Sequence, residues 1–179
     1  MKKIAIIVGS LRKGSFNRMI ANELIKLAPN DLKLEIVEIN NLPLYNQDFD
    51  DNSPKEYTEF REKIKSADGF IFASPEHNRS YPAAIKNALD VASRPWGQNV
   101  WSGKPGAIIT ASPGTLGGFG ANHHLRQVCA FLNIYMMQQP EAYVNVANIF
   151  DENGNITNEG SKKFLQAYID AFDLWVKKF

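Results

Sequence analysis

Short apolar runs alternate strictly with segments of helical periodicity along this sequence, and that order is the strongest constraint on its fold. Four of the runs are rich in Ile, Val, Phe and Ala, and they span residues 3–8, 32–39, 68–73 and 105–112. A fifth strand is expected between residues 133 and 146, where Pro140 is a candidate break. Between the runs, apolar residues recur at the spacing of amphipathic helices. The pattern predicts βαβ units, and therefore a parallel sheet with helices on both faces.

The number of strands narrows the fold class further. Five strands favour a flavodoxin-like α/β fold, a doubly wound parallel sheet of order 2-1-3-4-5, over a six-stranded dinucleotide fold. The run at 32–39 alternates apolar and polar side chains in part, which is typical of a strand near the edge of a sheet. A chain of 179 residues without an internal repeat or a linker is expected to form one domain over residues 1–179.

Local signals indicate where helices begin and where a connection is unusual. Ser15 is the predicted N-cap of the first helix, and Ser53-Pro54 is predicted to open the second in N-cap and first-turn order. The polar loop at 40–53 is longer than most connections between elements. Its length suggests either a function or packing over a neighbouring element.

Composition excludes several classes of protein. Twenty basic and nineteen acidic side chains leave a net charge of +1, so no overall field attracts the chain to a nucleic acid or to an acidic membrane. No apolar stretch approaches the ~20 residues of a membrane span. The single cysteine, Cys129, excludes an internal disulfide, and the N-terminal residues lack the apolar length of a signal peptide. We expect a cytoplasmic protein that binds neither nucleic acid nor membrane.

Three loops of unusual composition follow the first, third and fourth predicted strands. They span residues 9–17, 74–80 and 112–120. In a parallel sheet these loops meet at one edge, where ligands of this fold class bind. The coincidence of unusual loops at one predicted edge is the basis of the functional hypothesis.

The first loop has the features of a phosphate site. It places small residues and hydroxyl groups just before a helix N-terminus, where free backbone N–H groups and the helix dipole favour an anion. The candidate side chains are Ser10, Arg12, Ser15 and Asn17. The alternative is a capped helix start with a solvated basic pair, Arg12 and Lys13.

Two familiar phosphate motifs do not match this loop. A P-loop requires Lys after Gly14, where the chain has Ser15, and a dinucleotide fingerprint requires glycine at Leu11. What remains is a binding site for a single phosphate.

The second and third loops could hold a flat ring. Pro75 and Pro82 stiffen the second loop, whose backbone can then read the edge of a planar heterocycle. His77 is interpreted either as a group that stacks or donates a proton, or as a surface residue. Glu76 and Arg79 are expected to pair locally or to face solvent. The third loop has four glycines in nine residues, which allow positive φ angles and a close backbone approach to a ligand.

Other reactive or aromatic residues have simpler interpretations. His123 and His124 are adjacent in a helix and diverge by about 100°, so they do not chelate a metal as a pair. Cys129 lies on an apolar helix stripe and is predicted to be a buried structural thiol. Trp96 and Trp101 follow the third helix and are either interface anchors or the rim of a ligand site.

Several segments together resemble the NAD(P)H-dependent FMN reductase family, and its chromate- and quinone-reducing bacterial members most of all. These segments are residues 9–17, residues 75–90, and residues 111–114 with 117–118 and 124–126. One departure concerns His77, because the family commonly has Tyr at that position.

The resemblance implies a set of cofactor contacts. The FMN phosphate would be held by Ser10, Arg12, Ser15, Phe16 and Asn17. The isoalloxazine would be lined, largely by backbone groups, by Pro75, Glu76, His77, Asn78 and Arg79, with Ser112 and Gly114 along the same side. No side chain is assigned a catalytic role, and no metal is implied.

The resemblance also implies an activity and an assembly. NADPH or NADH would reduce bound FMN, which would then reduce a small acceptor such as a quinone, an azo compound, free flavin or chromate in a ping-pong scheme. A homodimer or homotetramer is expected. The alternatives are a flavodoxin-like electron carrier and a non-catalytic flavin-binding module on the same fold.

Overall fold

A computed structural model describes residues 1–179 and shows alternating strands and helices. The strands are β1 (Lys2–Val8), β2 (Leu32–Ile36), β3 (Gly69–Ser74), β4 (Pro105–Ser112), β5 (Tyr135–Met136) and β6 (Ala142–Asn145). The helices are α1 (Phe16–Leu27), α2 (Lys55–Ser66), α3 (Ala83–Ser93), α4 (Phe119–Phe131) and α5 (Glu159–Val176). A short 3₁₀ helix, Gln47–Phe49, lies in the long polar loop.

All strand pairs are parallel, and the order is β2-β1-β3-β4-β5, with β6 also paired to β4. The predicted order 2-1-3-4-5 is therefore confirmed, with its fifth position divided between β5 and β6. The break falls at Pro140, which has no N–H to donate to a strand ladder. The predicted strand at 32–39 is shorter in the structure and ends at Ile36, although the Val37 N–H still donates to the Ile6 carbonyl oxygen of β1 at 2.9 Å. Val37 and Ile39 are buried in the core layer of α2 and α3.

The core has two layers, one on each face of the sheet. Along β1, Ile4 and Ile6 face the layer that contains α1 and α5, whereas Ala5 and Ile7 face the layer that contains α2, α3 and α4. This alternation on a strand buried on both faces explains why the central strands read as continuous apolar runs in the sequence.

Two predicted helix starts have different outcomes. Ser15 is the N-cap of α1, where its Oγ accepts the Arg18 N–H at 3.2 Å, so that prediction is confirmed. Ser53 does not cap α2, because its hydroxyl donates instead to the carbonyl oxygen of Phe49 at 3.0 Å. Pro54 occupies the N-cap position and makes no side-chain cap.

The long loop at 40–53 packs over α3, as one of its two interpretations required. Asn87 of α3 accepts the Tyr45 N–H at 2.7 Å and donates to the carbonyl oxygen of Pro43 at 2.9 Å. Arg94 pairs with Asp50 at 2.9 Å farther along the same loop. No helix has the length and apolar character that crossing a membrane requires.

Both interpretations of Trp101 were wrong, since its side chain is fully buried in the core. Its ring packs edge-on against Phe70 with centroids 4.8 Å apart, and its indole N–H donates to the carbonyl oxygen of Leu89 at 3.1 Å. Trp96, by contrast, is 80% exposed. Trp101 therefore packs α3 against the sheet. For Trp96, an interface anchor and the rim of a ligand site both remain open.

Replacement of Trp101 tests this assignment. Trp101→Ala should lower the free energy of unfolding by about 3–5 kcal/mol, because it opens a cavity between α3 and the sheet. Trp96→Ala is the matched control and should change it by less than about 0.5 kcal/mol. Urea unfolding of both variants measures the difference, and equal midpoints would contradict the structural role of Trp101.

Candidate functional site

The three unusual loops meet at the carboxyl edge of β1, β3 and β4. Together they line a cleft of about 250 Å³. Eight of the predicted site residues line it, namely Ser10, Arg12, Phe16, Asn17, Pro75, Glu76, His77 and Ser112, together with Ala111 and Pro113. The other four, Ser15, Asn78, Arg79 and Gly114, lie beside the cleft on the same loops.

The first loop presents unpaired donors before α1. The backbone N–H groups of residues 10–17 donate to no acceptor in the protein. The first turn of α1 contains no acidic side chain. Free N–H groups at the positive end of a helix dipole form a site for an anion. The loop is therefore suited to a phosphate.

Side chains hold the first loop in place and add one cation that has no carboxylate partner. Asn17 is buried, and its Nδ2 donates to the carbonyl oxygen of Ala111 at 3.3 Å, which ties the loop to β4. The Arg12 guanidinium lies 4.7 Å from the centroid of the Phe16 ring and has no carboxylate partner. Because no acid neutralises it, Arg12 remains free to contact an anion in the cleft.

The second loop contains a tight turn with unusual backbone angles. His77 and Ser80 exchange N–H···O bonds of 2.8 and 3.0 Å. The two residues between them, Asn78 and Arg79, have φ angles of 50° and 67°. Positive φ at both central positions defines a type I′ turn, for which Asn-Gly is a preferred sequence. The N–H groups of Glu76, Asn78 and Arg79 donate to no protein acceptor, so they are available at the cleft edge.

The N-terminus of α4 holds this turn from both sides. Before the turn, Glu76 Oε2 accepts the Ala121 N–H at 3.0 Å. After the turn, the Ser80 hydroxyl lies 3.1 Å from His124 Nδ1. Between these contacts, a Cβ on Gly120 would lie only 2.8 Å from the carbonyl oxygen of Arg79. The left-handed residues persist because α4 determines the position of the whole turn.

Sequence reasoning anticipated part of this arrangement. Glu76 does pair locally, with its Oε1 3.9 Å from the Arg79 guanidinium, as predicted. Its contact with Ala121 was missed, as were the roles of Gly120 and His124. The only signal in the sequence was Gly120 at the start of a helix. A glycine at that position does not predict which loop packs against it.

The glycines of the third loop divide between the two roles predicted for them, a positive φ and a close backbone approach to a ligand. Gly117 and Gly118 have φ angles of 57° and 88°, and a Cβ on either would collide with β6 or β4. They therefore allow the loop to pack on the sheet. Gly114 has a different environment. Its N–H donates to the Ser112 Oγ at 3.1 Å. A Cβ added at Gly114 would have the Ser112 Oγ as its nearest neighbour, at 3.4 Å. The backbone at Gly114 is therefore open to a ligand.

The remaining candidates are occupied elsewhere. His124 contacts Ser80, whereas His123 contacts the Tyr143 hydroxyl at 3.0 Å, so the two imidazoles diverge as predicted. Cys129 is fully buried, and burial raises its thiol pKa to about 12. A larger hollow of about 430 Å³ lies between α4 and α5, and its lining residues belong to none of the three loops.

Substitution of Gly120 tests the contact between α4 and the turn. Alanine normally stabilises a helix relative to glycine, but here its Cβ would meet the Arg79 carbonyl and Glu76. Gly120→Ala should therefore lower the unfolding free energy by about 1–3 kcal/mol. Gly160→Ala, in the first turn of α5, is the control and should have a smaller effect, because its Cβ would approach the capping Asn158 Oδ1 only to 3.2 Å and would meet no carbonyl of another segment. Thermal unfolding compares the two, and a stabilised Gly120→Ala protein would refute the close packing.

Comparison with known proteins identifies the family. The family model for NADPH-dependent FMN reductase matches residues 2–150. A quinone reductase from Pseudomonas putida is 52% identical over 176 residues, covering 97% of this chain and 94% of that protein. A 2-hydroxy-1,4-benzoquinone reductase from a Burkholderia species is 50% identical, covering 98% and 96%. The solved structure of a flavoenzyme NAD(P)H:(acceptor) oxidoreductase from Paracoccus denitrificans superposes with a TM-score of 0.94 at 40% identity, covering 99% and 98%. The resemblance found in the sequence is thus confirmed, and the chain is an oxidoreductase of the NADPH-dependent FMN reductase family.

Proposed function

We propose that this protein binds one FMN in the cleft between its three loops and passes a hydride from NADPH or NADH through it to a quinone. The observation that carries the proposal is the run of free N–H groups at residues 10–17, which opens into the same cleft as the second loop. Relatives named as quinone reductases support the class of acceptor. Azo compounds, free flavin and chromate are further acceptors that an open cleft would admit.

The first loop fits the phosphate of FMN. A phosphate monoester carries close to two negative charges at neutral pH and presents three strong acceptor oxygens. The free N–H groups before α1 and the hydroxyls of Ser10 and Ser15 supply matching donors. The Arg12 guanidinium, which also lines the cleft, supplies a positive charge. Phe16 and Asn17 complete the wall, with Asn17 held against β4.

The second and third loops fit the edge of a flavin ring. An isoalloxazine carries carbonyl oxygens and ring nitrogens along one edge, which backbone N–H groups can recognise. The unpaired N–H groups of Glu76, Asn78 and Arg79 are the donors of the second loop. Pro75 and His77 provide the wall of the cleft, and Ser112 with Gly114 would lie along the same side of the ring.

The protein contributes binding, orientation and electrostatics to the reaction. FMN itself supplies the hydride chemistry when it is bound. The titratable side chains that line the cleft are Arg12, Glu76 and His77. Glu76 is held by the Ala121 N–H and by Arg79, so it positions the turn. No side chain need act as a general acid or base, and a single cleft that serves donor and acceptor in succession implies ping-pong kinetics.

Reduction of the bound flavin by nicotinamide tests the activity. Anaerobic mixing of FMN-loaded protein with NADPH or NADH should bleach the visible flavin absorbance within seconds, and a quinone should restore it. A flavodoxin-like electron carrier would stay yellow with both nucleotides, although dithionite would still reduce it. A non-catalytic flavin-binding module would likewise stay yellow with both nucleotides, whereas a protein that does not retain FMN would refute the proposal. The dithionite control separates a failed hydride transfer from a flavin that is absent.

Replacement of Arg12 tests the phosphate site. Arg12→Ala should weaken FMN binding by about 1.5–3 kcal/mol, the range for hydrogen bonds to charged groups. Lys33→Ala on β2 removes one positive charge at an exposed site outside the cleft and should leave the affinity unchanged. Titration of the apoprotein with FMN measures both dissociation constants. Equal constants for wild type and Arg12→Ala would place the phosphate elsewhere.

A further inference from the structure

Arg79 occupies a backbone position that favours glycine. Its φ of 67° at the second central position of a type I′ turn is left-handed, a conformation that carries a steric penalty for residues with a Cβ. Glycine would adopt it without that penalty. The preceding residue, Asn78, is of a type that tolerates left-handed angles, whereas arginine has no such preference. The arginine side chain therefore does not stabilise the turn, and a role for it is to be sought outside the turn.

The guanidinium of Arg79 is held at the rim of the cleft without a strong partner. Its side chain is 78% exposed, and its one ion pair is the 3.9 Å contact with Glu76 Oε1. Glu76 lines the cleft, which places the guanidinium within 4 Å of a cleft-lining carboxylate. An ion pair of that length at an exposed site contributes little, so the charge remains available to a ligand.

The charges of FMN leave this cation without an anion. FMN has one phosphate, which the first loop takes in the function proposed above, and its oxidised ring is uncharged. Arg12 already serves that phosphate from the first loop, whereas Arg79 lies on the second. An anion that Arg79 binds beside oxidised FMN would therefore belong to a ligand other than FMN. The reductant brings such anions, because NADH carries a pyrophosphate and NADPH carries a further 2′-phosphate.

We propose that Arg79 binds a phosphate group of the nicotinamide dinucleotide and so holds the reductant at the cleft, an inference that rests on the function proposed above. The turn fixes the Cα of Arg79 through α4, so a long flexible side chain starts from a rigid base. A contact to a phosphate far from the reacting ring stabilises ground state and transition state alike. Such a contact changes KM and leaves kcat unchanged.

Two substitutions separate the charge from the backbone. Arg79→Asn removes the charge and keeps a residue that accepts left-handed angles. Arg79→Lys keeps the charge and, like arginine, lacks any preference for those angles. With FMN-loaded protein, Arg79→Asn should raise KM for NADPH about tenfold with kcat within twofold, and Arg79→Lys should recover most of the loss. Lys33→Ala is the control for removal of a remote charge.

A binding measurement complements the kinetics and identifies the phosphate. Calorimetric titration with NADP⁺ should show the same tenfold weakening for Arg79→Asn, without any turnover. If the contact is to the 2′-phosphate, only NADPH and NADP⁺ lose affinity; if it is to the pyrophosphate, NADH and NAD⁺ lose it equally. Either pattern supports the proposal and names the group that is bound.

Other results overturn the proposal. Unchanged nucleotide affinity in Arg79→Asn would show that the guanidinium contacts no phosphate. A lower kcat with a shifted flavin reduction potential, or loss of FMN, would assign Arg79 to the flavin instead. If wild type is not reduced by either nucleotide, the proposed function fails, whereas the NADP⁺ titration still decides whether Arg79 binds a dinucleotide.

Discussion

Parallel pairing of β1, β3 and β4 is the constraint on which the rest of this structure depends. In the observed register Val8 is opposite Ala73, and Ser74 is opposite Thr110, so β3 ends one residue beyond β1 and β4 ends two residues beyond β3. After each of these strands the chain must leave the sheet at the same edge and return through a helix. The backbone hydrogen bonds between the strands thus bring the three loops together. The position of the cleft follows from this pairing and does not depend on the side chains that line it.

The second loop shows how the fold maintains a conformation that it does not favour locally. Two consecutive left-handed residues without glycine would not persist in an isolated peptide. Here the N-terminal turn of α4 contacts the loop before the turn through Glu76 and after it through Ser80, with Gly120 admitting the close approach. The same contact gives α4 a carboxylate acceptor for one of its free N–H groups. Helix and turn therefore stabilise each other.

The sequence predicted the sheet order, the first helix cap and the three loops, because each depends on periodicity or on a short local signal. It failed where residues distant in the chain decide the outcome. Trp101 follows a helix and looks exposed, yet it meets Phe70, thirty-one positions earlier, in the core. Ser53 has the right neighbour for a cap but bonds to Phe49. Glu76 accepts the N–H of Ala121, which lies 45 positions later in the chain, and no pattern in either segment predicts that contact.

The burial of Cys129 has a consequence for a protein with these relatives. Quinones are electrophiles that add to thiolates, and a reductase that handles them exposes itself to alkylation by its own substrates. The thiolate is the reactive form of cysteine. In this fold the single sulfhydryl is enclosed beneath α4 and keeps its proton at any physiological pH. The architecture thus leaves electrophiles of this kind no thiol to modify on the native surface.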